Sequence, residues 1–205
     1  MTATRLVLLR HGQHEVGVVD GSLTAVGSRQ GELLAAEVRA TGSDIVVSSP
    51  LQRARETAAF LGQPYEVIDD LREFDFGPSA PSAEALIDAR QDLALWKAHD
   101  GFAGGETLAG FQARVAQTLE ALLHRYGDQR ILVCTHSGVL DAALRWAYGL
   151  GPDEDWLTEA AVRNASITEL EVWRDGRHPR GAPRHTVIHR VGDVAYLPAE
   201  LVTEM

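Results

Sequence analysis

The chain has 205 residues, 45% of them hydrophobic, which is typical of one globular domain with a sizeable core and is short for two. Its 29 aspartates and glutamates outnumber its 19 lysines and arginines, so the formal net charge is −10. Non-specific binding to nucleic acid or to anionic membranes requires basic surfaces. The charge balance therefore predicts no nucleic-acid partner and no membrane partner.

Three further features predict a cytoplasmic protein. No apolar stretch is long enough to cross a bilayer. The first residues lead directly into an apolar strand pattern, which leaves no room for a signal peptide. The single cysteine, Cys134, excludes an internal disulfide framework and fits a reducing compartment. Because Cys134 follows an apolar run, we expect a small core residue there rather than a reactive thiol.

The first half of the chain predicts three strands and two helices. Short apolar runs rich in branched side chains are typical of buried strands, and they span residues 6–9, 44–47 and 65–68. Residues 23–40 carry apolar side chains at helical spacing, with Thr24 as a plausible N-cap. The Ser49–Pro50 step predicts the start of a second helix over residues 50–61.

The second half predicts two helices, over residues 108–126 and 139–148, and three strands, over residues 130–135, 165–173 and 186–191. Thr107 is the expected cap of the longer helix, which has an amphipathic period. Strands that alternate with helices predict an α/β fold with a mostly parallel sheet covered on both faces. The region from about 75 to 106 interrupts the alternation. We therefore expect a single domain over residues 1–205 with a small cap insertion at 75–106.

Polar side chains follow the predicted strands at the edge where open α/β sheets bind ligands. Arg10 and His11 follow the first strand, Arg53 the second and His136 a later one. Arginines bind phosphoryl oxygens, and histidine can act as a nucleophile or exchange protons near neutral pH. Glu73 lies between the third strand and the cap, where a carboxyl group could protonate a leaving oxygen. The set predicts phosphoryl transfer through a phosphohistidine, without a metal.

Motifs spread over most of the chain resemble the histidine phosphatase superfamily, also called the phosphoglycerate mutase-like family, in its Arg-His-Gly branch. The matching segments are residues 9–13 (LRHGQ), 49–58 (SPLQRARETA), 71–77 (LREFDFG), 104–107 (GGET), 135–140 (THSGVL) and 164–167 (NASI). The resemblance implies a three-layer α/β/α sandwich and phosphoryl transfer with no metal and no cofactor. It places the nucleophile at His11, a phosphate-binding arginine at Arg53, the proton donor at Glu73 and the second histidine at His136.

The predicted phosphate- or substrate-binding residues are Arg10, Arg53, His136, Gln13, His14 and Ser137. The chain departs from the family pattern at His14 and Gly17, where members commonly have threonine or serine and asparagine. Two interpretations of His14 stay open: it contacts the phosphoryl group or a substrate hydroxyl, or it lies at the pocket edge with no chemical role. The departures leave the identity of the substrate open.

Three functions are compatible with these residues. We favour a phosphatase that hydrolyses a small organic phosphate monoester. A 2,3-bisphosphoglycerate-dependent phosphoglycerate mutase must bind a carboxylate and a second phosphate, yet between Asp75 and Glu106 the only basic residues are Arg90 and Lys97. A non-catalytic phosphate-binding protein is expected to lack part of the catalytic set, which is complete here. The expected partner is a small phosphate ester, and a homodimer is left open.

Overall fold

The computed structural model describes residues 3–16, 20–42, 45–78, 104–151, 160, 162–176, 178, 180 and 183–203. Six strands form one sheet, and they are β1 (Thr4–Arg10), β2 (Ile45–Ser48), β3 (Glu66–Val67), β4 (Arg130–Thr135), β5 (Ile167–Arg174) and β6 (Arg184–Asp193). Their order is β3-β2-β4-β1-β5-β6. The first four strands in this order pair in parallel, whereas β5 is antiparallel to β1 and β6. The expected mostly parallel sheet is confirmed.

Helices cover both faces of the sheet. They are α1 (Ala25–Arg39), α2 (Gln52–Ala59), α3 (Leu108–Arg125) and α4 (Ser137–Tyr148). On one face, Leu34 of α1 and Ala58 of α2 share a buried apolar cluster with Val7 of β1. On the other face, Phe111 of α3 and Leu140 of α4 belong to a second buried cluster. Two cores separated by one sheet make the three-layer α/β/α sandwich that the resemblance implied.

Side-chain caps start two of the helices where the sequence predicts them. Thr24 accepts a hydrogen bond from the Gly27 amide, and Thr107 accepts one from the Gly110 amide. Such caps satisfy amide groups that have no partner within the first turn of a helix.

Two helix starts differ from the prediction. Helix α2 begins at Gln52 rather than at Pro50, because the backbone at Leu51 is still extended, with φ −68° and ψ 140°. Helix α4 begins two residues early, at Ser137, so His136 itself occupies the N-cap position.

Much of the predicted cap lies outside the described residues. The structure describes the flanks up to Pro78 and from Gly104, whereas Arg90 and Lys97 fall between them, and Gly17 is likewise undescribed. None of the described helices is long and apolar enough to span a membrane.

Candidate active site

Neighbouring strands bring the two motif histidines together. Arg10 at the end of β1 is in register with Thr135 at the end of β4, and the His11 amide donates to the Thr135 carbonyl at 3.0 Å. The next residue on each strand, His11 or His136, therefore turns into the same space. The two ring centroids are 5.1 Å apart, and both side chains are buried.

The surroundings of His11 select one tautomer of its ring. Its Nδ1 lies 2.7 Å from the carbonyl oxygen of Gly12, which can only accept, so Nδ1 carries the proton. In the neutral ring Nε2 then carries no proton and has a lone pair in the ring plane. The Arg53 Nε–H donates to that atom at 3.2 Å. The nitrogen that faces the arginine is therefore the nucleophilic one.

Two buried arginines flank His11. Arg53 comes from the first turn of α2, and Arg10 ends β1; both side chains are less than one-tenth exposed. Arg10 donates through Nη1 to the Val162 carbonyl. Arg53 lies 3.8 Å from the Asp20 carboxylate. Burial lowers the pKa of Arg53 from its ordinary value, and the nearby carboxylates of Glu73 and Asp20 oppose that shift without cancelling it. Both groups remain cations at neutral pH.

Both buried histidines are neutral at physiological pH. Burial lowers the pKa of His11 well below its ordinary value, and His136, Arg53 and Arg10 add to the shift. Burial likewise lowers the pKa of His136, with further contributions from the arginines. A neutral imidazole keeps a lone pair, so His11 has the protonation state that a nucleophile requires.

His136 is oriented by Ser49, a residue that the sequence prediction did not assign to the site. Its Nε2 lies 2.7 Å from the Ser49 hydroxyl, which also accepts from the Leu51 amide at 3.3 Å. The other ring nitrogen, Nδ1, is buried and makes no hydrogen bond. A ligand with acceptor oxygens would give that nitrogen a partner. The position of Ser49, directly after β2, was the available signal.

Glu73 binds the start of α4, the helix that follows His136. Its Oε2 accepts from the Gly138 amide at 3.1 Å and from the Ser137 hydroxyl at 3.3 Å. A Cβ at position 138 would overlap Oε1, so only glycine allows the carboxyl group to approach this closely. Glu73 is half-buried and near enough to influence Arg53.

The other predicted binding residues lie around this centre, with different partners. The His14 ring stands edge-on to His11, with centroids 5.0 Å apart, and its Nδ1 is buried without a hydrogen bond. The Gln13 side chain instead accepts from the Thr24 hydroxyl at 2.7 Å, at the start of α1. The Ser137 hydroxyl donates to Glu73. His14 thus lies beside His11, whereas the side chains of Gln13 and Ser137 bind protein groups.

Further polar residues that the sequence prediction did not include support the His11 loop from behind. Thr57 accepts from the Gly12 amide at 3.1 Å, and Gln30 accepts from the Gln13 amide at 2.7 Å. Asn164 contacts the His11 carbonyl through its side-chain amide at 3.4 Å. Gln30 is a polar residue on the apolar face of α1, a signal that was visible in the helical periodicity. Within the described ranges, no group of three or more His, Cys, Asp or Glu side chains is arranged to hold a metal.

Comparison with known proteins finds relatives that are named as phosphatases or hydrolases. The chain is 32% identical over 184 residues to putative phosphoserine phosphatase 2 of Hydrogenobacter thermophilus, covering 82% of this chain and 89% of that protein. It is 30% identical over 197 residues to glucosyl-3-phosphoglycerate phosphatase of Mycolicibacterium vanbaalenii, covering 83% and 85%. The solved structure named mycobacterial hydrolase 2 superposes with a TM-score of 0.77 at 26% identity, covering 98% of this chain and 95% of that one.

The family assignment rests on the length of the match as well as on the site. Residues 6–181 match the model of the histidine phosphatase superfamily, branch 1. That range includes both histidines, both arginines and Glu73. With its α/β sandwich and with curated relatives that are at least 30% identical over four-fifths of its length, the chain belongs to the histidine phosphatase superfamily.

Proposed function

We propose that this protein is a metal-independent phosphatase that hydrolyses a small organic phosphate monoester through a phosphohistidine on His11. One observation carries the proposal: the unprotonated Nε2 of His11 lies beside the guanidinium of Arg53, which is in turn near enough to the Glu73 carboxylate to feel its charge. The two curated relatives compared above are named as phosphatases of small phosphate esters, which favours the same reaction.

The site is electrostatically matched to a phosphate monoester. Arg10 and Arg53 contribute two positive charges, which balance the dianion, while the histidines contribute none. Phosphate oxygens would take over the Arg53 Nε–H and so release the Nε2 lone pair of His11. Ser49 holds the ring of His136 at Nε2, while the buried Nδ1 has no hydrogen-bond partner. In the tautomer that carries the proton on Nδ1, this nitrogen donates to a phosphoryl oxygen. Preorganised donors of this kind stabilise the transferring group.

In the first step, the bond between His11 Nε2 and phosphorus forms as the bond from phosphorus to the ester oxygen breaks. The acid form of Glu73 gives its proton to that oxygen, which leaves as an alcohol. In the second step, water attacks the phosphorus and gives a proton to the Glu73 carboxylate. The Nε2–phosphorus bond breaks, and His11 and inorganic phosphate are restored. The net reaction is ester plus water to alcohol plus phosphate.

Metal independence, location and the other binding residues are supported by separate observations. The arginines supply the positive charge that a metal ion would otherwise provide, which supports metal independence. The buried single thiol Cys134, whose pKa burial raises to about 12, fits a reducing cytoplasm. We infer that His14, whose ring centroid lies 5.0 Å from that of His11, contacts the phosphoryl group or a substrate hydroxyl. Contacts from Gln13 and Ser137 to substrate stay predictions, since both now bind protein groups.

The test is phosphate release from a panel of esters, with and without EDTA. The panel contains 4-nitrophenyl phosphate, phosphoserine, 3-phosphoglycerate and sugar phosphates. The variant His11→Ala is the test variant, and His124→Ala, which removes an exposed histidine on α3, is the matched control. We expect release that EDTA leaves unchanged, that His124→Ala retains, and that His11→Ala lowers by at least about a thousandfold.

Each contrary result has a defined meaning. Loss of activity in EDTA would reveal a required metal. Release that survives in His11→Ala would remove His11 as nucleophile. Interconversion of 3- and 2-phosphoglycerate without net release of phosphate would establish the mutase. Tight binding of vanadate with no turnover of any ester would establish a phosphate-binding protein.

A further inference from the structure

A buried ion pair lies behind the segment that carries Glu73. Arg114, in the second turn of α3, donates from Nε to Oε1 of Glu106 and from Nη2 to Oε2, both at 2.6 Å. The two side chains are only 10% and 17% exposed. Burial opposes ionisation of Glu106, yet the bonds from Arg114 and from the Asp75 amide lower the pKa of its carboxyl below its ordinary value. The pair is therefore ionised, and its two-pronged geometry fixes the guanidinium plane.

The same guanidinium binds the backbone just before the proton-donor position and at that position itself. Arg114 Nη1 donates to the carbonyl of Asp70 at 2.6 Å and to that of Arg72 at 3.1 Å. Nη2 lies 3.5 Å from the carbonyl of Glu73 itself. Asp70 lies within the short 3-10 helix Asp69–Leu71, Arg72 and Glu73 follow it, and none of the three belongs to a strand or an α-helix. Arg114 thus provides the hydrogen bonds that a sheet ladder provides elsewhere.

Glu106 holds the far end of the segment. Its Oε2 accepts from the Asp75 amide at 3.1 Å, and its own amide donates to the Asp75 carbonyl at 2.7 Å. Close backbone crossing accompanies these bonds. A Cβ on Gly105 would lie 2.6 Å from the Asp75 carbonyl oxygen, and one on Gly77 would lie 2.5 Å from the Gly105 amide. The residues before and after Glu73 are therefore fastened to the start of α3.

We propose that Arg114 and Glu106 are positioning residues that hold Glu73 where it can protonate the leaving oxygen. This inference rests on the proposed function, in which Glu73 is the proton donor. The Glu73 carboxylate is held by Ser137 and Gly138 of α4. The backbone of its segment is held by Arg114 of α3 and by Glu106, which precedes the N-cap of α3. Loss of the rear attachment shifts the carboxyl group relative to His11 without removing it.

A displaced acid has a kinetic signature that general loss of structure lacks. An alkoxide is a poor leaving group and needs the proton, whereas 4-nitrophenolate leaves without it. Misplacement of a catalytic group by about 1 Å costs about a hundredfold in the step that uses it. We therefore expect Arg114→Met to lower kcat/KM by about tenfold to hundredfold on an alkyl phosphate such as phosphoserine, and by less than about threefold on 4-nitrophenyl phosphate.

The experiment compares kcat/KM for both esters across four proteins. They are the wild type, Arg114→Met, Arg114→Lys and Glu106→Gln. Lysine keeps the charge but cannot bind both carboxylate oxygens and the backbone carbonyls together, so we expect partial rescue. Melting temperatures are measured first, and all assays are run well below the lowest of them. If Arg114→Met fails to fold, Glu106→Gln carries the test, since it keeps the side-chain shape and removes the charge of the pair.

A second arginine on the same helix provides the matched control. Arg125 of α3 pairs with Glu66 at 2.7 Å, but both side chains are largely exposed, and the pair lies away from Glu73. We expect Arg125→Met to leave the ratio of the two kcat/KM values unchanged. An equal loss on both esters in the Arg114 and Glu106 variants would overturn the positioning role alone. Absence of phosphate release from every ester in the wild type would overturn the proposed function, and the positioning role with it.

Discussion

At the scale of single residues, the reactivity of His11 depends on how its two ring nitrogens are used. The Gly12 carbonyl holds the proton on Nδ1, and Arg53 faces the lone pair on Nε2. Burial keeps the ring neutral, which is the nucleophilic form. The same burial prevents the ring from binding a proton instead of phosphorus at neutral pH. One backbone carbonyl and one guanidinium thus set both the tautomer and the direction of attack.

Removal of the acid function of Glu73 gives the first residue-scale prediction. Glu73→Gln keeps the size of the side chain but cannot supply the proton, so turnover of phosphoserine should fall by about a hundredfold or more. The rate of phosphoenzyme formation from 4-nitrophenyl phosphate, which is the first step, should fall much less. Steady-state rates on the two esters measure the difference, with burst kinetics separating phosphoenzyme formation from its hydrolysis. An equal fall in the first step on both esters would show that Glu73 is not the acid.

His14 gives the second residue-scale prediction. Burial, with Arg53 and Arg10 nearby, lowers the pKa of His14 to about 4, and its Nδ1 has no hydrogen bond. A neutral imidazole of this kind can bond to a ligand oxygen, and a hydrogen bond to a charged group contributes about 1.5–3 kcal/mol. We expect His14→Ala to lower kcat/KM by about tenfold or more.

The control for this variant is His124→Ala, which should retain the wild-type rate. A hydroxyl at position 14, as in His14→Thr, should recover part of the loss, since threonine also offers a donor. If His14→Ala matches the wild type on every ester, the residue lies at the pocket edge without a chemical role.

At the scale of elements, the first turn of α1 and the loop after β1 approach so closely that side chains are excluded. A Cβ on Gly27 would overlap the Gln13 carbonyl oxygen, and one on Gly12 would lie 2.5 Å from the Gly27 carbonyl oxygen. Gln30, one turn further along α1, accepts from the Gln13 amide. Helix α1 therefore serves as the support on which the His11 loop rests.

This contact gives the element-scale prediction. Alanine has a higher helix propensity than glycine by about 1 kcal/mol, so Gly27→Ala would stabilise an isolated helix. In the protein, the methyl group pushes against the Gln13 backbone, and overpacking of this kind costs about 1–3 kcal/mol. We expect Gly27→Ala to lower both the melting temperature and kcat, the latter because the loop that bears His11 shifts.

Gly31 supplies the matched comparison on the same helix. A Cβ there would meet the ring of Phe60 rather than the nucleophile loop. Gly31→Ala should therefore lower the melting temperature with kcat nearly unchanged. Similar kcat values for the two variants would refute the supporting role of α1.

At the scale of the whole molecule, the fold buries a catalytic centre whose histidines cannot take up protons. His11 and His136 have native pKa values well below 6.5, the ordinary value that applies in the unfolded chain. Between those values, the unfolded state binds more protons than the native state. The free energy of unfolding therefore decreases as the pH falls below about 6.5. At pH 5.5 each histidine accounts for about 1.4 kcal/mol of that decrease.

The corresponding measurement is the free energy of unfolding by denaturant between pH 7.5 and pH 5.5. Carboxylates stabilised in the folded state, such as Glu106, titrate below this window. We expect wild-type stability to fall by about 3 kcal/mol from the two buried histidines, with a smaller further fall from the partly exposed His14, whose pKa is also lowered. The variant His136→Asn, which removes one buried histidine, should lose about 1.4 kcal/mol less than the wild type over the same range. An identical slope in the two proteins would mean that His136 does not contribute.

The sequence alone singled out the candidate catalytic groups because they follow a local rule. Each of His11, Arg53 and His136 stands just beyond a short apolar strand, and parallel strands end at one edge. Register between β1 and β4 then brings the histidines together. Amphipathic periods and N-cap threonines are also local signals, and they predicted the bounds of α1 and α3 to within a residue or two. The Ser49–Pro50 step predicted the start of α2 two residues too early, since the backbone at Leu51 is still extended.

The sequence by itself determined the family and the α/β architecture and predicted the set of reactive residues, because these depend on short motifs and on periodicity along the chain. Only the tertiary structure decided the tautomer of His11, the orientation of His136 by Ser49 and the fastening of Glu73 by Arg114 and Glu106. The contacts of Ser49 with His136 and of Arg114 with Glu73 join segments far apart in the chain, and the tautomer depends on how the His11 ring is turned towards the neighbouring Gly12 carbonyl. Hydrogen bonds require specific distances and angles in space, and spacing along the sequence does not encode them.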